Sequence, residues 1–186
     1  MQIVAGKIKG IYVIIPDPFF DERGFFMRSY DVDVFREAGL DRPWVQENHS
    51  LSKKKDIIRG LHFQISPRSE TKLIRCIRGA VLDVFVDLRL NSQTFGIWDS
   101  VELSAENKKM AFIPRGFAHG FCTLTDYSEV LYKVDNYYSK QHEEGLLWND
   151  EDLKIKWPVK TPFLSEKDRS NMTLKEFINK YIGLEE

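Results

Sequence analysis

Apolar positions in this chain recur mainly at every second residue and in short runs, at 11–15, 24–30, 71–77, 80–88, 97–103, 110–113, 120–123 and 130–137. The runs are rich in β-branched and aromatic residues and are separated by Gly and by Asn/Ser/Asp clusters, the pattern of strands joined by turns. Only two stretches show helical spacing. One covers 31–38 and stops at Gly39; the other is C-terminal, where Leu174, Phe177, Ile178 and Tyr181 form one apolar stripe. Thr173 and Glu176 have the spacing of a capping box at its start. Successive strands without intervening helices exclude βαβ units and predict an antiparallel sandwich, jelly roll or barrel with a helix laid against its outside. A functional site would then lie inside the barrel or at its mouth.

Composition narrows the function classes. The 186 residues carry 27 Lys+Arg against 28 Asp+Glu, interspersed, so no sustained positive field is available for nucleic acid or an acidic membrane surface. From Gly10 to Trp148 there is no linker, repeat or low-complexity stretch, and a single domain over 1–186 is expected. The longest apolar run, 11–15, is too short for a bilayer span or a signal peptide, so a soluble, cytoplasmic protein is expected. Cys76 and Cys122 each sit inside an apolar run, and two cysteines define neither a disulfide framework nor a zinc site. Buried, reduced packing roles are expected for both.

The run 80–88 is the most informative strand. Period two puts Ala80, Leu82, Val84, Val86 and Leu88 on one side and Asp83, Phe85 and Asp87 on the other. The mixed face is either half-solvated or the lining of a polar cup. In 59–64, alternation places His62 and Gln64 on one side, and Gly60 permits a close backbone approach. His62 is a candidate base, and His119, in a Pro/Gly-rich approach to a strand, is a second candidate imidazole. Neither belongs to the His-x-His arrangement with carboxylate and third histidine of a metal-binding cupin, so no metal is expected, and acid–base chemistry on an organic substrate is favoured.

Several segments recur together and in order: Asp21-Glu22-Arg23-Gly24-Phe25-Phe26, Gln46-Glu47-Asn48-His49-Ser50, Arg59 to Gln64, Ile113 to Phe121, Leu131-Tyr132-Lys133, Trp148-Asn149-Asp150 and Leu164-Ser165-Glu166-Lys167-Asp168. This succession resembles the nucleotide-sugar 3,5-epimerases of the dTDP-4-dehydrorhamnose 3,5-epimerase family. The resemblance implies an all-β fold, a cupin-type jelly-roll barrel (double-stranded β-helix) with a few peripheral helices, without metal or cofactor. It further implies a homodimer in which N-terminal strands are exchanged between subunits.

It also implies a chemistry. The substrates are nucleoside-diphosphate 4-keto-6-deoxy-hexoses, whose ketone makes the C3 and C5 protons removable through an enolate. His62 matches the base, a role imidazole suits because it is both available and basic near neutral pH. Asp168 matches the carboxylate that orients it. Tyr132 matches the acid on the opposite face, and Lys72 the cation that meets the C4 oxyanion. Asp83 matches an acidic residue of the cup and His119 an imidazole near the sugar or diphosphate. Arg59 and Arg23 match diphosphate contacts, Arg23 in the neighbouring subunit's site, with Gln46 and Asn48 as polar contacts. Tyr138 matches the residue against the nucleoside base, and Phe19 and Phe26 further walls of that pocket.

Two segments depart from the pattern. Met27-Arg28 stands where an apolar residue and Glu are common, which bears on the preferred nucleotide, and the loop 65–71 lacks the common Gln-Gly approach to Lys72. Neither touches the residues matched to proton transfer. The leading expectation is therefore an epimerase at C3 and C5. C3-only epimerisation, a cofactor-free keto-isomerase and a noncatalytic sugar-nucleotide binder are the alternatives.

Overall fold

In the computed structural model, which describes residues 1–185, the strands are β1 (Gln2–Ala5), β2 (Tyr12–Ile15), β3 (Phe19–Asp21), β4 (Gly24–Phe26), β5 (Gln46–Ser52), β6 (Ile58–Gln64), β7 (Lys72–Arg78), β8 (Ala80–Asp87), β9 (Trp98–Ser104), β10 (Met110–Ile113), β11 (Phe117–Thr123), β12 (Ser128–Val134) and β13 (Glu143–Gly145). The helices are α1 (Val32–Glu37), α2 (Glu166–Arg169) and α3 (Leu174–Tyr181). One sheet runs β1-β2-β10-β7-β12-β5 and the other β13-β6-β11-β8-β9, while β3 and β4 form a separate hairpin. The strand pairs within both sheets are antiparallel. Among the antiparallel architectures left open by the strand pattern, this is the jelly-roll barrel that the family resemblance implies, with each sheet's inner face turned to the other.

Three apolar layers hold it together. Between the sheets, Ile74, Cys76, Ala111 and Val130 pack against Val81, Phe85, Leu103, Phe117 and Phe121. Outside the five-stranded sheet, Leu61, Phe63, Val84, Val86 and Ala118 are covered by Leu174 and Phe177 of α3 together with Leu146, Leu153 and Leu184. Outside the six-stranded sheet, Ile14, Leu73, Met110 and Phe112 are covered by Phe35 of α1 and by Leu40. Because a strand's side chains alternate, the polar residues left on the inner faces at one end of the barrel have no apolar layer to join, and they line a cavity.

α1 and α3 form where the sequence places them, and caps set their ends. Asp31 caps α1 by accepting from the backbone N–H of Asp33 and Val34, and Thr173 and Glu176 make the reciprocal capping box of α3. The run expected as a strand at 24–30 is extended only at Gly24–Phe26, which pairs with Phe19–Asp21. Arg28 instead reaches the Asp31 carboxylate at 2.8 Å. β11 starts at Phe117 rather than Gly120, so His119 lies within the strand. The run at 130–137 leaves the sheet after Val134, where the Asp135 carboxylate turns back to accept from the Thr71 N–H at 2.7 Å. Spacing alone had not indicated β1, β13 or α2, which are short, nor the polar strand β5.

The half-solvated reading of 80–88 is overturned. Asp83 and Asp87 are both 0 % exposed, because the inner face of β8 meets the opposing sheet and its outer face meets α3. Asp87 is a structural clasp. Its carboxylate accepts from Arg89, Ser92 and Thr94, and these bonds hold the acid below the ordinary carboxylate range against the opposing effect of burial. Cys76 and Cys122 are buried free thiols, pushed by burial up to about 11 and about 12.

Candidate active site

The open end of the barrel encloses a cavity of about 560 Å³. From the six-stranded sheet, alternation on β5 presents Gln46, Asn48 and Ser50, β7 contributes Lys72, and β12 contributes Tyr132. Register places Asn48 directly beside Tyr132, and Val134 between Gln46 and Lys72. From the five-stranded sheet, β6 contributes Arg59, His62 and Gln64, and β11 contributes His119 and Phe121. His62 and His119 are register partners, so both imidazoles leave the sheet on the same face. Tyr132 and His62 therefore rise from opposite walls.

β6 and β11 approach too closely for side chains at one crossing. Gly60 has φ +120°, and a Cβ there would stand 2.6 Å from the Gly120 Cα and 2.7 Å from the His119 carbonyl oxygen. The register shifts between His119 and Phe121 at the same place. This close crossing sets the position of both histidines relative to the cavity.

Asp168 arrives from the far end of the chain. The Phe163 carbonyl accepts from the Ile58 N–H, and Met172 hydrogen-bonds Gly145 and Leu147 beside β6, so residues 163–172 are tied along that strand at both ends. Between the ties, Ser165 caps α2 by accepting from the Asp168 N–H at 3.1 Å. The Asp168 carboxylate then lies 2.6 Å from His62 Nε2. Burial pushes this acid up, but the hydrogen bond and charge of His62, with Ser165 and the Gly60 backbone, hold it below the usual range.

The second imidazole has its own carboxylate: His119 Nε2 is 2.7 Å from Asp83 Oδ1. Asp83 is fully buried behind His119 and is not among the residues lining the cavity, which corrects its expected place in the cup. Arg59 is held by Ser52 Oγ at 3.1 Å and the Leu51 carbonyl at 3.3 Å. Tyr138 donates from its hydroxyl to Glu143 at 3.0 Å, and its backbone N–H donates to Gln46 at 2.7 Å. Burial, then the charges of Glu70 and Glu143, raise the Tyr132 phenol, with Arg59 opposing.

Phe19, Phe26 and Arg23 are not brought to this cavity within the chain. They lie on the β3–β4 hairpin, with Phe19 68 % and Phe26 75 % exposed, and Arg23 paired to Asp21. Further polar lining residues that the sequence reading did not place in the site include Ser50, Glu70, Glu143, Ser165 and Lys167. Lys167 Nζ is 2.5 Å from Glu143 Oε2. Lys167 stands next to Asp168, and Ser50 lies two residues after Asn48 on one strand face; the positions of Glu70 and Glu143 depend on loop conformation and carry no comparable signal. Among the described residues, no group of three His, Cys, Asp or Glu side chains is arranged to hold a metal ion, and no helix is long and apolar enough to cross a membrane.

Comparison with known proteins agrees with this geometry. The sequence model of dTDP-4-dehydrorhamnose 3,5-epimerase matches residues 5–176. The chain is 50 % identical over 169 residues to the dTDP-4-dehydrorhamnose 3,5-epimerase of Shigella flexneri, covering 90 % of this chain and 93 % of that protein. The crystal structure of the Bacillus anthracis dTDP-4-dehydrorhamnose 3,5-epimerase with TDP and pyrophosphate superimposes with a TM-score of 0.91 at 46 % identity, covering 93 % and 99 % of the two chains. That of the Legionella pneumophila dTDP-6-deoxy-D-glucose-3,5-epimerase with dTDP-4-keto-L-rhamnose gives 0.93 at 38 % identity, covering 100 % and 98 %. An antiparallel barrel with these residues at its mouth and a sequence match over nearly its whole length place this chain in the dTDP-4-dehydrorhamnose 3,5-epimerase family of enzymes.

Proposed function

We propose that the protein inverts C3 and C5 of a nucleoside-diphosphate 4-keto-6-deoxy-hexose, converting a dTDP-4-dehydro-6-deoxy-D-glucose to a dTDP-4-dehydro-L-rhamnose. The observation that carries this reading is the His62–Asp168 contact of 2.6 Å on one wall with Tyr132 on the other. His62 takes the proton from the carbon beside the ketone, and the C–H electron pair moves into an enolate with its charge on the C4 oxygen. Lys72, whose own side chain is only 9 % exposed, meets that charge at the cavity wall. Asp168 fixes the imidazole's tautomer and stabilises the imidazolium while it exists. Tyr132 donates its proton to the opposite face of the same carbon, which inverts the centre, and solvent restores both groups. Its raised pKa suits a phenol that must hold its proton until that step.

Arg59 supplies a forked cation for the diphosphate, with Gln46, Asn48 and His119 as polar contacts and Tyr138 against the base. The exposed phenylalanines Phe19, Phe20, Phe25 and Phe26 form an apolar surface of the kind that marks a contact with another chain. A homodimer carrying Arg23, Phe19 and Phe26 of each hairpin into the partner's cavity accounts for both their exposure and their match to the family. The deciding experiment is proton NMR in deuterated water with dTDP-4-keto-6-deoxy-glucose. Loss of the C3 and C5 signals, abolished by His62→Ala, supports the reading; loss at C3 alone makes the protein a 3-epimerase, and exchange at neither carbon rejects it for this substrate.

A further inference from the structure

The loop between β6 and β7 brings a carboxylate, Glu70, into the cavity wall two residues before Lys72. Glu70 Oε1 lies 3.2 Å from Lys72 Nζ, with the two side chains only 12 % and 9 % exposed. Its other oxygen accepts from Gln64 Nε2 at 2.9 Å. Gln64 is itself anchored on two loops: its amide nitrogen faces the Arg68 carbonyl at 2.9 Å and the Tyr137 carbonyl at 3.3 Å, and its oxygen accepts from the Ser139 N–H at 2.6 Å. The carboxylate is thus held from behind and cannot turn away from Lys72 without breaking that anchor.

An ammonium on a four-carbon stem is a mobile donor with three N–H groups. Glu70 takes one of them, and the His62 carbonyl stands 3.5 Å from the same nitrogen, which leaves a third for the cavity. A buried carboxylate is costly unless it is paired and hydrogen-bonded, and Glu70 is both.

We propose that Glu70 is a positioning residue for the proton-transfer site: anchored by Gln64, it fixes the Lys72 ammonium so that one N–H faces the reacting oxygen, and it adds a fixed negative charge to the wall that Tyr132 also faces. This rests on the reading of Lys72 as the partner of the enolate oxygen. Tyr132 shares the cavity with Arg59 and His62 of β6, Glu70 of the loop before β7, Lys72 of β7, His119 of β11 and Glu143 of β13. Lys167 and Asp168 of α2 stand behind this set, already paired to Glu143 and His62. After burial, the Glu70 charge is the leading influence that keeps the phenol protonated.

The test compares Glu70→Ala and Glu70→Gln with wild type in two measurements. In steady-state turnover of the 4-keto sugar nucleotide, Glu70→Ala should lose about ten- to a hundredfold in kcat with a much smaller change in KM, the cost of a misplaced group. Glu70→Gln, whose amide oxygen still accepts from Lys72 but whose amide nitrogen cannot accept from Gln64 Nε2, should recover part of that loss. In the ligand-free protein, 13Cζ-tyrosine NMR, with Tyr132 assigned through Tyr132→Phe, should show the Tyr132 titration moving to lower pH in Glu70→Gln. A wild-type kcat in Glu70→Ala, or a Tyr132 titration unmoved in Glu70→Gln, overturns the proposal. If Glu70→Ala does not fold, the near-isosteric Glu70→Gln titration decides. If the wild type does not turn over the sugar nucleotide, the functional reading fails, while the ligand-free titration still tells whether the Glu70 charge reaches Tyr132.

Discussion

The Asp168 carboxylate lies 2.6 Å from His62 Nε2 although 106 positions separate the two residues in the chain. β6 presents His62 to the cavity, and residues 163–172 are tied at one end to β6 through Ile58 and at the other to Gly145 of β13 and Leu147, with the single turn of α2 between the ties.

Replacing Asp168 with Asn keeps the size of the side chain but removes the charge that stabilises the imidazolium. Asp168→Asn should lower kcat for epimerisation by about 10²- to 10⁴-fold with little change in nucleotide affinity. Stopped-flow kinetics with dTDP binding by calorimetry measures both, and a loss under tenfold would remove Asp168 from the mechanism.

Tyr132 and His62 stand on opposite walls, so removing the phenol should separate proton loss from proton return. In Tyr132→Phe, solvent deuterium should still enter the substrate at the carbon that His62 serves, while net inversion falls about a hundredfold or more. NMR of the recovered sugar distinguishes washed-out starting material from inverted product; equal losses of exchange and inversion would contradict the division of labour.

Asp168 and Asp87 both have carboxyl groups held below the ordinary value of 3.8 in the folded protein. A depressed acid stabilises the fold fully above its unfolded pKa, and that contribution is lost as pH falls through the folded one. The melting temperature should therefore drop steeply below about pH 4. Asp168→Asn should make that drop shallower, as measured by calorimetry across the acid range.

Gly60 carries a backbone conformation that side chains rarely adopt and has no room for a Cβ beside Gly120. Gly60→Ala should destabilise the protein by about 3 kcal/mol or more, because the β6–β11 pairing must open to admit a methyl group. Urea denaturation with activity measured on the folded fraction tests it; a stable variant would mean that the strands adjust freely.

If the β3–β4 hairpin serves the neighbouring subunit, Arg23→Ala and His62→Ala impair different halves of a shared site. Refolding the two inactive variants together should restore activity, since mixed dimers contain one site with both residues intact. Mixtures that stay as inactive as either parent would place Arg23 outside the partner's cavity.

Much of the architecture is legible in the residue pattern because strand alternation and helix caps are local properties. The shared strand face of His62 and Gln64, the apolar surroundings of the cysteines and the capping box of α3 all depend on residues a few positions apart. The run at 24–30 is strand only to Phe26, with Arg28 turned to cap-forming Asp31, and its partner Phe19–Asp21 is too short to show a period of its own.

The residue pattern alone predicts an antiparallel sandwich, jelly roll or barrel and two candidate histidines, and its ordered motifs carry the resemblance to the family. Only the three-dimensional fold decides which carboxylate meets which imidazole: Asp168 reaches His62, Asp83 stands behind His119, and Asp87, on the same strand face as Asp83, serves a loop instead. It also buries both faces of β8 and leaves Phe19 and Phe26 outside the chain's own cavity. The reason is physical. Side-chain direction follows from torsions within a few residues, whereas these contacts depend on the packing of segments far apart in sequence, which alternation cannot encode.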